Sequence, residues 1–138
     1  MADTTQEVLY ARPHAAPMSK AFLELELPAE LSRLHEETTW QTGQNARTLI
    51  KYDTLRVVLV ALKAGKSLAA HKTEGRLSVH VLSGHVEVKA SGRTFNLRAG
   101  GLLALDRNQS HDVRALQESA VLLTIAWPGE EKRDLTMV

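Results

Sequence analysis

Histidines are the side chains best suited to chemistry in this chain, because cysteine is absent. Any protein-bound metal must therefore be held by imidazole nitrogen and by carboxylate or amide oxygen, and disulfides and thiolate catalysis are excluded. Two of the histidines, His71 and His111, each follow a turn-rich segment, and we expect each to open a strand. The remaining histidines are His14, His35, His80 and His85.

Short apolar runs separated by turn signals fill the chain from Arg47 onward and predict many strands. No helical period appears after residue 40, so we expect an antiparallel sandwich or barrel. Ser91-Gly92 predicts the tight turn of a hairpin in "VKASGRTF". The expected strands lie in "RTLIKY", "LRVVLVALK", "LSVHVLSG", "HVEVKA", "RTFNL", "LLAL", "HDVRAL" and "AVLLTIAW".

Alternation along a strand places residues two positions apart on one face of the sheet. Thr73 should therefore share the face of His71. On the next strand we expect one face to carry Leu77, Val79 and Val81 and the other to carry Ser78, His80 and Leu82. His80 is accordingly predicted to lie outside the cavity of His71.

The segment before the strands predicts an arm and one short helix. Residues 1–20 have no sustained period and indicate a loosely held arm. "FLELEL", residues 22–27, alternates and predicts an edge strand. Pro28 suits the first turn of a helix that turns Leu31, Leu34 and His35 inward. We therefore expect an arm over 1–20, one barrel domain over 21–128 and a tail over 129–138.

Two motifs resemble those of the cupins, which are small antiparallel β-barrels of the jelly-roll type (the double-stranded β-helix). The first family motif is Gly-x5-His-x-His-x3-4-Glu-x6-Gly. This chain has Gly65, "KSLAA", His71-Lys72-Thr73, "EGR", Leu77, "SVHVLS" and Gly84. The spacing fits from end to end, but Thr73 stands in place of the second histidine and Leu77 in place of the glutamate.

The second cupin motif, Gly-x5-Pro-x-Gly-x2-His-x3-Asn, is similar to the segment from Gly100 to Ala115. Its first glycine and its histidine, His111, are present, whereas Asp106, Asn108 and Ala115 stand at the other three motif positions. The resemblance covers about half of the chain, from Leu55 to Ile125, and implies the cupin fold.

The resemblance also implies where a site would lie. Metal-binding cupins hold a divalent ion such as Fe, Mn, Ni or Zn with three histidines and one glutamate, and this chain retains only His71 and His111 of that set. Two imidazoles alone predict a weak, exchangeable metal site. Carboxylates beside the motifs are expected to point away. The ligand pocket implied by the resemblance comprises His71, Thr73, Leu77 and His111.

Composition limits the possible partners. The net charge of +1 and the lack of a dense basic cluster argue against nucleic acid. No apolar run approaches a membrane span and no secretory signal is evident, so we expect a cytoplasmic protein without a membrane partner. Two runs, "VVLVAL" and "AVLLTIA", are apolar on both faces and predict a partner sheet, hence a homodimer.

Three functions remain open from the sequence. The first is a small-molecule-binding barrel without catalysis, with at most a weak metal at His71 and His111. The second is a metal-dependent oxygenase or isomerase with unrecognised ligands. The third is a structural or regulatory dimer whose barrel is filled by Leu77, Val79 and Leu103. Arg47, Arg56 and Arg76 could bind an anionic ligand, although solvated charges are the ordinary explanation of such residues.

Overall fold

The computed structural model describes residues 21–129, and the side chains of residues 69–71 are not among those described. The arm predicted over 1–20 and the tail from residue 130 lie outside this range. Helix α1, a 3₁₀ turn at Thr38–Thr42 and nine strands follow one another in the described chain. Their bounds are α1 Leu27–Glu36, β1 Gln44–Lys51, β2 Leu55–Leu62, β3 Ser67–His71, β4 Arg76–Ser83, β5 His85–Ala90, β6 Arg93–Arg98, β7 Leu102–Leu105, β8 His111–Ala115 and β9 Ser119–Ala126.

The strands form two antiparallel sheets packed face to face, as the sequence predicted. The larger sheet has the order β1-β2-β9-β4-β7 and the smaller sheet has the order β3-β8-β5-β6. Alternate residues of both sheets point inward and build one apolar core, in which Val58, Val79, Val88, Val113 and Leu123 are fully buried. This double-sheet arrangement is that of a jelly roll.

Helix α1 covers part of the outer face of the larger sheet. Leu34 is fully buried against Leu59 and Ala61 of β2, and Leu122 of β9 packs against the same cluster. The second apolar face of β2 and β9 is therefore covered in part by the chain's own helix, at a face where the sequence predicted a partner sheet. The homodimer stays a prediction.

Ion pairs and hydrogen bonds join α1 to β1. Glu30 is buried and accepts a hydrogen bond from Arg33 at 2.7 Å, while the Nε of Arg47 lies 3.8 Å from the other Glu30 oxygen. Arg47 also pairs with Glu37, and the Asn45 amide donates to the Leu34 carbonyl at 2.9 Å. The contacts of Arg47 are thus accounted for by the helix.

Three local predictions are wrong. Residues 22–26 belong to no strand, because Leu25 and Leu27 pack into the α1 cluster and the helix begins at Leu27. His71 ends β3 and does not open a strand, because pairing with β8 draws "SLAAH" into the sheet despite its small residues. His35 is exposed and stacks on Trp40, whereas Leu34 faces inward as predicted.

Among residues 21–129 no helix is long and apolar enough to cross a bilayer. The predicted cytoplasmic location, and the expected lack of membrane and nucleic-acid partners, stay predictions.

The glycine that closes the first motif allows two turns to touch. Gly84 has a left-handed φ of 89°, and a Cβ built on it would lie 2.3 Å from both the Glu118 carbonyl oxygen and the Ser119 Oγ. Ser119 in turn accepts the His85 N–H at 3.0 Å, which ties the β4–β5 turn to the start of β9. Gly65 has a similar φ of 87° with nothing within 4 Å.

We therefore expect Gly84→Ala to destabilise the protein more than Gly65→Ala. The left-handed backbone alone should cost about 1–2 kcal/mol at Gly65, and the contacts at Gly84 should add about 1–3 kcal/mol. Urea unfolding of both variants measures the difference. Equal losses would show that the approach of the two turns does not constrain position 84.

Candidate functional site

The predicted site lies at the end of the barrel where both motif loops meet. β3 ends at His71 and β4 begins at Arg76, while β7 ends at Leu105 and β8 begins at His111. The two connecting loops are therefore at the same end. They are joined directly, because the Asn108 N–H donates to the Thr73 carbonyl at 2.9 Å.

The second motif keeps its conformation despite its substitutions. Asn108, at the position of the family's second glycine, has a positive φ of 60°. Asparagine tolerates this left-handed conformation better than most residues. Asp106, at the proline position, accepts the Arg107 N–H at 2.8 Å and pairs with Arg76 at 3.0 Å, and these contacts lower the pKa of its exposed carboxyl. The loop is thus held by local hydrogen bonds in place of the proline.

Backbone pairing brings His71 and His111 together. They are direct partners in the register of β3 against β8, and Ala90 of β5 is the next residue in the same row. The sequence therefore identified two residues that are neighbours in the fold. His111 also opens β8 as predicted.

His111 is a buried, neutral imidazole of defined tautomer. It is 2% exposed, and desolvation lowers the pKa of the ring, although the Gln109 carbonyl and the charge of Asp112 oppose the shift. Its Nδ1 lies 3.0 Å from the Gln109 carbonyl oxygen. Since a carbonyl only accepts, Nδ1 carries the proton and the buried Nε2 carries the lone pair in the neutral ring.

Leu77 and Thr73 do not act as ligands. Leu77 is 2% exposed and belongs to the apolar core, where it pairs with Ile125 on one side and Leu105 on the other. Thr73 is buried, and its hydroxyl accepts the Gly75 N–H at 3.2 Å. His80 lies on the opposite face of β4 from Leu77, as the alternation predicted.

Arg56, which the sequence left either as an anion-binding residue or as a solvated charge, lies at this end of the barrel. It is 3% exposed and in phase with the inward residues Val58 and Val60, so the ordinary explanation as a solvated charge is wrong for it. Its guanidinium lies 5.8 Å from the ring centroid of Trp127, which packs into the core. Burial lowers the pKa of Arg56, but a guanidinium stays protonated at neutral pH. The alternation of residues in "LRVVLV" was the sequence feature that indicated an inward direction for Arg56.

We call the inward residues at this end the end layer. In the larger sheet, pairing aligns Arg56 with Ile125, Ile125 with Leu77, and Leu77 with Leu105; in the smaller sheet it aligns His111 with Ala90. Beside this layer lies a surface cavity of about 240 Å³. It is lined by Lys89, Ala90, Ser91, Gly92, Ser110, His111 and Asp112.

The donor set does not fit the metal site of the family. Leu77 occupies the glutamate position inside the apolar core, and Glu74, the nearest carboxylate in the first motif, is exposed. Among the side chains that the structure describes, no group of three or more His, Asp or Glu is placed to hold a metal ion. The described side chains of the end layer therefore do not supply the three or more ligands that a tight site needs.

Comparison with solved structures agrees with the fold. A cupin protein of the RmlC-like type from Desulfovibrio desulfuricans is 26% identical, with a TM-score of 0.58, over 79% of this chain and 95% of that chain. A conserved protein of unknown function from Streptococcus pyogenes is 19% identical, with a TM-score of 0.64, over 83% and 96%. No family model and no curated protein matches the chain.

An enzyme is also among the structural neighbours. Salicylate 1,2-dioxygenase from Pseudaminobacter salicylatoxidans is 17% identical, with a TM-score of 0.66, over 74% of this chain and 34% of that chain. At this identity the likeness concerns the fold alone. The architecture described above is a jelly-roll barrel of the cupin type. The chain belongs to the cupin superfamily.

The lowered pKa of His111 makes stability depend on pH. The pKa of His111 is lowered from its ordinary value of 6.5 in the folded protein, so below pH 6.5 the unfolded chain binds a proton more readily than the folded protein does. The free energy of unfolding therefore decreases as the pH falls from neutral to below 6.5. We expect His111→Gln to lose part of this dependence, measured as the free energy of unfolding in urea across that range. His35→Gln, which removes an exposed imidazole, is the matched control. A His111→Gln variant with the wild-type slope would contradict the burial of a neutral ring.

Proposed function

We propose that this cupin is a small-molecule-binding barrel whose metal site is degenerate, with binding at the end layer. One observation carries the proposal: the buried imidazole of His111 lines a surface cavity of about 240 Å³ at the end of the barrel where the two motif loops meet. Small-molecule sites are concave and fix the orientation of a ligand with a small number of placed polar groups. The volume is suited to a small ligand or to one that is partly exposed.

The interior of the barrel below the end layer supports a site confined to this end. Val79 is fully buried between its strand partners Leu103 and Leu123, and Leu123 pairs in turn with Val58. A filled barrel was the expectation for the third function, a structural or regulatory dimer. His111 at a cavity is what the binding reading expected, and it favours binding over a purely structural role.

The metal-dependent enzyme is the alternative. The dioxygenase neighbour supports it at the level of fold, but that reaction would need a third ligand beside His71 and His111. The described side chains do not supply one. Divalent metal binding in our proposal is accordingly limited to a weak, exchangeable contact with two imidazoles.

We expect a library of small organic molecules, screened by ¹H–¹⁵N correlation spectra, to yield ligands that shift the amide signals of residues 89–92 and 110–112. Ser110→Trp places a large side chain at the exposed rim of the cavity and should abolish these shifts. Ala104→Trp fills a groove of about 490 Å³ on the larger sheet that shares no lining residue with this cavity, and it should leave the shifts unchanged. A screen without ligands at these residues, or with ligands that still bind Ser110→Trp, would refute the proposal.

A further inference from the structure

The cavity beside His111 lies where two paired strands of the smaller sheet end. Ala90 of β5 and His111 of β8 are partners at the ends of these strands, and both line the cavity. Beyond this pair the β5–β6 turn, Ser91-Gly92, lines one side and Ser110 lines the other. Both turn residues have positive φ values, 52° and 74°, as a tight hairpin turn requires.

A hydrogen bond ties this turn to the loop of the second motif. The Ser91 hydroxyl donates to the side-chain oxygen of Gln109, whose backbone carbonyl oxygen lies 3.0 Å from the Nδ1 of His111. The two sides of the cavity are therefore connected before any ligand arrives. Preformed walls favour binding, because the ligand does not have to order them.

Two opposite charges line the cavity side by side. Lys89 and Asp112 are direct partners in the register of β5 against β8, next to the Ala90–His111 pair. Side chains at such positions begin about 4.5–5.5 Å apart. In the part of the chain that the structure describes, however, no ion pair joins them. The Nζ of Lys89 lies instead 3.8 Å from an oxygen of Glu87, which does not line the cavity.

Both charged groups retain their capacity to bind a ligand. The carboxylate of Asp112 is half-buried, and it has no hydrogen bond or ion pair with the described residues. A partly desolvated carboxylate without a partner gains from a cation that binds it. The distance from Lys89 to Glu87 is too long for a hydrogen bond, so the three N–H donors of the ammonium stay available.

The other lining groups are neutral. Burial lowers the pKa of His111, so its ring adds no charge at neutral pH. Ser91 and Ser110 add hydroxyls, which donate or accept as the ligand requires. The lining therefore carries one ammonium and one carboxylate, and its net charge is zero.

Resting on the proposed function, we propose that the ligand is a zwitterion of the α-amino acid type, whose ammonium binds Asp112 and whose carboxylate binds Lys89. The two protein charges come from directly opposed backbone positions, so a ligand that matches both must carry its own charges close together. An α-amino acid does so. A ligand with one charge would leave Asp112 or Lys89 unpaired, which selects against it.

Exposure decides which of the two contacts is stronger. The side chain of Lys89 is 60% exposed, and exposed ion pairs are weak. The half-buried carboxylate of Asp112 is desolvated further, so its contact with the ligand's ammonium should dominate. We expect masking of the amino group to weaken binding roughly 5- to 30-fold, and masking of the carboxylate to weaken it roughly 2- to 5-fold.

The test removes the two ligand charges one at a time. Alanine, leucine and phenylalanine are each compared with their N-acetyl derivative, their primary amide and their N-acetyl amide. Each compound is titrated into the full chain at pH 7, and the amide signals of residues 89–92 and 110–112 report binding. We expect the free amino acid to bind most tightly and the N-acetyl amide to bind least tightly.

Variants assign each charge to its partner. Asp112→Asn should abolish the loss caused by N-acetylation, and Lys89→Met should abolish the loss caused by amidation. Glu118→Gln and Arg114→Met remove exposed charges that do not line the cavity, and they should retain both losses. If a variant does not fold, the four forms of each amino acid still decide with the wild-type chain.

The outcomes separate this inference from the proposed function. N-acetyl amides that bind as tightly as free amino acids, with shifts at residues 110–112, would overturn the zwitterion and leave small-molecule binding intact. Losses that persist in both Asp112→Asn and Lys89→Met would also overturn it. If no compound of the series shifts these signals at its solubility limit, the inference is wrong, and the library screen then decides the proposed function separately.

Discussion

The register of β4 against β9, with Leu77 opposite Ile125, is the constraint on which the rest of this structure depends. A one-residue slip would exchange every side chain of β4 between the two faces, placing Ser78 and His80 in the barrel and Leu77 and Val79 on the surface. The burial of Leu77 and Val79 fixes the register, because that exchange would expose their apolar area to water. The same register places Leu77 in line with Leu105 and, through Ile125, with Arg56.

Leu77, at the glutamate position of the first cupin motif, changes the chemistry available at this end of the barrel. In metal-binding members a glutamate at this position contributes a charged ligand, whereas here an apolar side chain completes the core. His111 is buried as well, and this burial lowers the pKa of its imidazole. The buried charge that remains inward in the described strands is the cationic Arg56. The end layer therefore combines one buried arginine and one buried imidazole with apolar side chains.

Sequence reasoning predicted the fold because motif spacing and period-two alternation both report the barrel directly. Gly84 and His111 have the positions that the motifs imply, and the alternation of β4 correctly separated Leu77 from His80. The sequence could not show that α1 covers Leu59 and Ala61, because an apolar outer face looks the same whether a helix or a second subunit covers it. It also could not show that "FLELEL" forms no strand, since alternation does not reveal whether a neighbouring strand is available for pairing.

The site was predicted in part for similar reasons. Pairing of His71 with His111 was accessible through the motifs, which record positions around the barrel. Arg56 lies before the first motif and no motif position corresponds to it, so only its phase with Val58 and Val60 marked it as inward. Composition favoured a solvated arginine, and the tertiary structure buries it against Trp127.

Metal affinity tests the central claim of a degenerate site most directly. Protein purified without a histidine tag is stripped with chelator and titrated calorimetrically with Zn²⁺, Ni²⁺, Mn²⁺ and Fe²⁺, with His111→Ala as the control. Our account predicts weak binding that dialysis reverses and that His111→Ala removes. Tight, stoichiometric metal that survives dialysis and depends on His111 would contradict it, because a third ligand would then complete the site.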